Sequence, residues 1–221
     1  MEADFWHQRW AAGRLGFHQA RVNSRLKKFW AALAPEPGAA VLAPLCGKSL
    51  DMLWLARAGH RVIGIEISDI ACRDFFAENG LRCTVEDGAP FVRFIGNAGG
   101  DIELWCGDWF DLKAGDLDGV RLVYDRAALI ALPEPMRAGY AAHLAELLPP
   151  RARVFLISMD YDESRMKGPP FSVPEAEVRG LFEANFSVEI ITQSSGPDIV
   201  GNLAERGLDS LNEKVYRLQR L

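Results

Sequence analysis

The sequence predicts an α/β protein: a three-layer α/β/α sandwich with a mostly parallel sheet, an antiparallel C-terminal strand and an N-terminal helical extension. Three observations predict it. Short apolar runs at residues 39–45 and 61–67 bracket a stretch of helical spacing, which is the pattern of a β-α-β unit. Strand-like and helix-like segments keep alternating to the C-terminus, and helices on both faces of a largely parallel sheet bury such an alternation. The composition is that of a folded chain, with 221 residues of which 49% are hydrophobic and 25% charged.

Each element has its own signal. Residues 4–11 carry Phe5, Trp6 and Trp10, the two tryptophans one helical turn apart, so a first helix has an aromatic face that Gly13 and Gly16 interrupt. Val22, Leu26, Phe29, Trp30 and Leu33 mark a second helix, closed by Pro35, Pro37 and Gly38. Residues 1–38 therefore read as an extension and 39–221 as the core of a single domain, about 150 residues per domain being the usual prior. The first strand, 39–45, ends in a Cys-Gly-Lys-Ser turn. Leu50, Leu53, Trp54 and Ala58 then recur at helical spacing, Gly59 supplies a stop, and 61–67 is the second strand. Residues 70–79 read as a helix stopped by Gly80, and 81–85 as a third strand. Further strands are expected at 102–106, 122–124, 154–159 and 188–192. Met136, Tyr140, Leu144, Leu147 and Leu148 form the stripe of a helix opened by Pro133 and Pro135 and closed by Pro149-Pro150. The last strand, 214–218, follows 188–192 without a full crossover helix, so it is expected to run antiparallel to the rest.

Charge narrows the partners. The 25 Lys and Arg against 30 Asp and Glu leave a net charge of −5, which argues against a nucleic acid or an anionic membrane surface and for a small soluble ligand. The N-terminus has acids where a signal peptide wants Lys or Arg, and no apolar stretch approaches the roughly 20 residues that span a bilayer. Cys46, Cys72, Cys83 and Cys106 form no CxxC pair and no metal spacing, so a reducing cytoplasm and no metal are expected.

In a doubly wound sheet, ligands bind outside the carboxyl ends of the strands. Residues 44–49, 66–69 and 125–126 should reach that edge. Glu66 closes the second strand about 20 residues after the first turn, where nucleotide-binding folds place an acid that accepts from ribose hydroxyls. The first turn lacks the Gly-x-Gly-x-x-Gly that admits a pyrophosphate, so a dinucleotide is disfavoured. Gly47-Lys48-Ser49 is not a P-loop either, because the required glycine five residues before Gly47 is Leu42. A ribosyl-adenine ligand without phosphates remains, which points to S-adenosylmethionine.

These residues also carry a resemblance. Trp10 with Gly13 and Gly16-Phe17-His18, the run from Val41 through Pro44-Leu45-Cys46-Gly47-Lys48 to Met52, Gly64-Ile65-Glu66-Ile67-Ser68, and Tyr124-Asp125-Arg126-Ala127-Ala128-Leu129 resemble the thiopurine S-methyltransferase family, its bacterial branch above all. The resemblance spans nearly the whole chain, to Leu211-Asn212-Glu213-Lys214-Val215-Tyr216. It implies a Rossmann-like class I methyltransferase fold, a monomer, and transfer of the S-adenosylmethionine methyl group to sulfur of aromatic or heterocyclic thiols, leaving S-adenosylhomocysteine. It extends to selenium and tellurium species as acceptors. By position it assigns cofactor contacts to Trp10, Leu45, Glu66 and Arg126, the adenine flank to residues 106–110, and an acceptor-facing aromatic to Phe17.

The residue chemistry suits those places. Glu66 would hold the ribose, Leu45 and Trp109 would offer apolar faces, and Asp108 would accept from the adenine amino group. Arg126 suits either the cofactor carboxylate or an anionic acceptor, as a guanidinium forks onto carboxylates. Trp10 would lie over the cofactor as part of a lid and meet the sulfonium, a cation–π contact of about 0.5–2 kcal/mol. Trp6, Trp30, Trp54 and Trp105 read as core residues, Cys46 as a packing residue, and His7, His60 and His143 as surface or satisfied positions. Aromatic thiols ionise near neutral pH, so no obligatory base is expected; Asp125 or His18 would serve less acidic thiols. Two other readings stand beside sulfur transfer: a non-catalytic module that binds S-adenosylmethionine, and a small-molecule O- or N-methyltransferase with a stronger base.

Overall fold

The computed structural model of the chain describes residues 3–13, 16, 18–96 and 101–221. They fall into two compact units, Met1–Tyr124 and Asp125–Leu221.

In the first unit, α1 (Ala3–Ala11) and α2 (Ser24–Phe29) precede the strands β1 (Ala40–Ala43), β2 (Val62–Glu66), β3 (Cys83–Glu86), β4 (Val92–Gly96), β5 (Ile102–Cys106) and β6 (Val120–Asp125). Every residue of β1 and β2 is buried, as apolar runs require of strands covered on both faces. The lateral order is β3-β4-β5-β2-β1-β6, with parallel ladders β1–β2, β1–β6 and β2–β5. Strand order therefore reverses at β1, with β2 on one side and β6 on the other, and the loops leaving β1 and β2 share the crevice side of the sheet.

The helices α3 (Asp51–Arg57) and α4 (Asp69–Glu78) pack on β2 and β5. Ser68 starts α4 by accepting from the Ala71 amide at 3.3 Å, and Ala71, Cys72, Phe75 and Phe76 supply its buried face. The α/β reading holds, with one correction. The third strand is not a parallel member: β3 and β4 form an antiparallel hairpin, and β4 runs antiparallel to β5. The five residues between β3 and β4, with Asp87-Gly88 among them, are too few for a crossover and enough for a hairpin loop.

The extension is bound to this unit through its second half. Leu26, Trp30 and Leu33 are buried. Trp30 Nε1 donates to His60 Nε2 at 3.1 Å, and His60 Nδ1 lies 3.0 Å from the Ala39 carbonyl. With Nε2 accepting, Nδ1 carries the proton, so His60 is the satisfied neutral histidine expected. Trp105 is buried with Nε1 bonded to Glu103, whereas Trp6 and Trp54 are only half-buried, on helix faces that keep one side to solvent.

The second unit holds α5 (Ala128–Ala131), α6 (Glu134–Leu147), β7 (Arg153–Asp160), α7 (Glu175–Phe182), β8 (Phe186–Gly196) and β9 (Leu211–Arg220). The strand β9 is antiparallel to both β7 and β8, as its short connection predicts. Tyr140, Leu144 and Leu147 face inward from α6 as the stripe requires. Arg137 joins them, its charge met by the Leu132 carbonyl at 2.9 Å and by Glu177 at 2.7 Å. The loop regions gather a smaller core of Tyr161, Met166, Val200, Leu203, Leu208 and Leu211.

Candidate functional site

The site is built from the turn after β1. Leu45 and Gly47 both take left-handed backbone conformations, with φ of 46° and 53°. Glycine adopts this freely, but a leucine there costs about 1–2 kcal/mol, so the surroundings must hold it. They do: the Cys46 amide donates to the Ile65 carbonyl at 3.0 Å, and the Gly47 amide to Glu66 Oε2 at 2.8 Å. A Cβ on Gly47 would lie in ordinary van der Waals contact with the Trp10 ring, 3.4 Å away, so Trp10, itself 4% exposed, packs directly beside the turn. One strand over, a Cβ on Gly64 would fall 2.6 Å from Cys46 Sγ and 2.5 Å from a Leu104 methyl, and only glycine admits that approach.

Glu66, at the end of β2, accepts from Gly47 through Oε2 and from the Ser68 amide through Oε1 at 2.9 Å. It is 6% exposed. Burial pushes its carboxyl up to about 7, against the opposing bonds from the Ser68, Gly47 and Ile67 amides. A carboxylate offers about four lone-pair positions, so three amide donors leave at least one for a hydroxyl. A carboxylate with spare acceptor capacity, beside a glycine whose backbone is bare, fits a nucleoside ribose.

Across β5, the Gly107 amide donates to the Glu66 carbonyl at 2.9 Å and brings Asp108 to the same end of the sheet. Asp108 is exposed, with Oδ1 accepting from the Phe110 amide at 2.9 Å. Trp109, expected as an apolar wall, is 5% exposed, and the adjacent Phe110 presents its ring at 40%. Burial and the neighbouring Glu66 carboxylate push the Cys46 thiol well above its ordinary value, which suits a packing residue and not a nucleophile. Lys48 is buried and bonded to Glu78 at 2.5 Å and Asp74 at 3.4 Å, both on α4, so the Gly-Lys-Ser turn carries a structural lysine and not a phosphate grip.

In the second unit, Asp125 is 1% exposed. Its Oδ1 accepts from the Ala128 and Leu129 amides and its Oδ2 from the Tyr140 hydroxyl at 2.7 Å. Burial pushes its carboxyl up to about 6, opposed by these three donors. The carboxylate anchors α5 and Tyr140, with three of its roughly four lone-pair positions taken and almost no surface open to solvent. Arg126 beside it is half-buried, and so is His18 in the first unit. Phe17 lies outside the described residues. Among the described residues, no group of three or more His, Cys, Asp or Glu could hold a metal ion, and no helix is long and apolar enough to cross a membrane.

The first unit thus brings together Trp10, Leu45 and Glu66 around one turn, with Asp108 and Trp109 following the Gly107 bond. Sequence reasoning missed Asp51, a buried acid bonded to both Asn23 and Tyr124. Its only signal was an acid directly after the turn.

Known proteins resemble the chain over its whole length. The family described as thiopurine S-methyltransferase matches residues 1–221. A thiopurine S-methyltransferase of Bordetella petrii is 47% identical over 220 residues, covering 100% of this chain and 99% of its own length. One from Pseudomonas fluorescens is 46% identical over 222 residues, covering 99% of each. Among solved structures, the magnesium protoporphyrin IX methyltransferase of Synechocystis PCC 6803 with bound SAH aligns with a TM-score of 0.63 at 18% identity, covering 99% of this chain and 98% of that one. The 1,6-didemethyltoxoflavin-N1-methyltransferase of Burkholderia thailandensis, with its ligand and S-adenosylhomocysteine bound, aligns with a TM-score of 0.62 at 16% identity, covering 99% and 86%.

Proposed function

The chain belongs to the thiopurine S-methyltransferase family, and from that membership we propose that it methylates the sulfur of aromatic or heterocyclic thiols. It is an S-adenosylmethionine-dependent methyltransferase with a Rossmann-like fold. The proposal concerns the acceptor atom and the residues that serve it.

One observation carries the choice of sulfur: the Asp125 carboxylate is enclosed by Tyr140, Ala128 and Leu129. A phenol needs a base to raise its nucleophilicity and an amine needs one to take the proton it sheds on attack, whereas an aromatic thiol already ionises near neutral pH. The cofactor supplies an electrophilic methyl group on a sulfonium. An anionic thiolate neutralises that charge as it attacks in line, so dry apolar walls and correct placement suffice. In this reading Glu66 accepts from the ribose hydroxyls, Leu45 supports the nucleoside, Asp108 accepts from the adenine amino group, and Trp109 with Phe110 lines the adenine edge. Trp10 faces the sulfonium, Arg126 forks onto the cofactor carboxylate or an anionic acceptor, and Phe17 and His18 border the acceptor. Selenium and tellurium nucleophiles obey the same logic. The protein would act as a cytoplasmic monomer on small molecules, without nucleic-acid or membrane partners.

The test compares a thiophenol with the matching phenol and aniline near neutral pH, following S-adenosylhomocysteine release. Turnover of the thiol alone is expected. Equal turnover of the phenol would overturn sulfur specificity.

A further inference from the structure

Asp51 is a buried carboxylate to which the reading above gives no task. It is the first residue of α3, directly after the turn, and is 2% exposed. Its Oδ1 accepts from the Asn23 backbone amide at 2.7 Å, and its Oδ2 from the Tyr124 hydroxyl at 2.8 Å. Asn23 in turn caps α2, its side chain accepting from the Arg25 amide at 2.8 Å and the Leu26 amide at 3.3 Å. One carboxylate therefore joins segments 28 and 73 residues away: the entry to α2 and the end of β6.

An acid in the first turn of a helix is favoured by the helix dipole, but that role needs neither burial nor partners. Burying a carboxylate is costly unless its oxygens receive donors, and here each oxygen receives one, from Asn23 and from Tyr124. The geometry fixed here is that of the extension. Trp30, which follows α2, sets its ring edge to face against Tyr124 with centroids 6.3 Å apart. Asn23 and Trp30 thus dock at two points around the same tyrosine, one through Asp51 and one directly. Trp10, thirteen residues before Asn23 in the same extension, has its ring against Gly47.

We propose that Asp51 is a positioning residue, a latch that holds the N-terminal extension on the core so that Trp10 stays on Gly47 beside the cofactor. This rests on the reading that Trp10 and Gly47 border the cofactor. Asp51 touches no reacting atom and acts through Asn23 and Tyr124.

Full-length Asp51→Ala, Asp51→Asn and Tyr124→Phe test it, by calorimetry with S-adenosylhomocysteine, by KM and kcat with a thiophenol, and by the rate of tryptic cleavage after Arg21. Asp51→Ala should raise the Kd for S-adenosylhomocysteine and the KM for S-adenosylmethionine by about tenfold, change kcat by less than about threefold, and speed cleavage. Asp51→Asn keeps an acceptor for Asn23 and can donate to the Tyr124 oxygen, so it should recover wild-type values to within about threefold. Tyr124→Phe removes one arm and should fall between. Wild-type binding by Asp51→Ala, with or without faster cleavage, overturns the latch, as does a loss confined to kcat. If Asp51→Ala does not fold, Tyr124→Phe decides: a smaller rise in Kd with faster cleavage supports the latch, and wild-type behaviour in both refutes it. A wild-type enzyme that binds S-adenosylhomocysteine yet methylates no thiol would refute the acceptor assignment instead, leaving the binding and cleavage results to judge the latch.

Discussion

The Gly47 amide donates to Glu66 Oε2 at 2.8 Å, so the turn after β1 and the last residue of β2 are locked together at the carboxyl ends of two paired parallel strands. In the proposed reading, the carboxylate and the Gly47 backbone face the same nucleoside. Glu66→Ala should therefore raise the Kd for S-adenosylhomocysteine by more than about tenfold, each hydrogen bond to a charged group being worth about 1.5–3 kcal/mol. Calorimetry measures it, and unchanged affinity would remove the ribose role.

The same carboxylate predicts two pH dependences of opposite sign. Its carboxyl is pushed up to about 7 by burial, so the folded protein holds this proton more tightly than the unfolded chain. That contribution to stability is fully present below the ordinary value of 4.5 and is lost as pH rises to about 7, some 3 kcal/mol at most. Ligand binding runs the other way, because ribose hydroxyls donate to the ionised form. Affinity for S-adenosylhomocysteine should weaken below about pH 7, by up to about tenfold per unit. Glu66→Gln should flatten both profiles. Urea denaturation and calorimetry between about pH 5.5 and pH 8.5 decide, and an affinity level across that range contradicts the assignment.

Asp125 separates an anchor from a base. If its enclosed carboxylate only holds Tyr140 and the start of α5, Asp125→Asn should cost about 1–2 kcal/mol of stability through the altered Tyr140 bond, since asparagine caps as well as aspartate. Turnover of a less acidic thiol, mostly protonated at the assay pH, should stay within about threefold of wild type, with an unshifted pH profile. A fall of about a hundredfold or more in kcat, with stability kept, would restore Asp125 as the base.

Gly64 tests how tightly the turn is packed. A methyl group there meets Cys46 Sγ at 2.6 Å and a Leu104 methyl at 2.5 Å, so Gly64→Ala must push these packed side chains aside. Overpacking of this kind costs about 1–3 kcal/mol, which urea denaturation would register. A variant as stable as wild type would mean that these side chains yield freely.

What was legible in the sequence follows from how local the physics is. The runs of β1 and β2 could be read because strands buried along their whole length must be continuously apolar. Glu66 could be read because its distance from the first turn is set by one β-α-β unit. The β3–β4 hairpin could not, because a four-residue edge strand with three exposed positions carries little apolar signal. Trp109 and Phe110 are adjacent aromatics, and which of them turns inward depends on the short helix at Trp109–Asp111 and not on either residue type. Lys48 and Asp51 look alike in sequence, as charges flanking a turn. Only tertiary contacts show one paired with α4 and the other bonded to Asn23 and Tyr124.

Trp10 offers a test that separates charge from shape. Its ring is buried against Gly47, so replacing it loses packing whatever the ligand. A sulfonium over an aromatic face adds an attraction of about 0.5–2 kcal/mol that the neutral thioether of the product cannot share. Trp10→Leu keeps an apolar side chain and removes the π face. It should weaken S-adenosylmethionine binding by about two- to thirtyfold more than S-adenosylhomocysteine binding. Calorimetry with both ligands, in the absence of acceptor, gives that ratio directly. Equal losses would make Trp10 a packing residue of the turn and remove it from the methyl-transfer site, whereas the predicted difference would set its ring against the reacting sulfur.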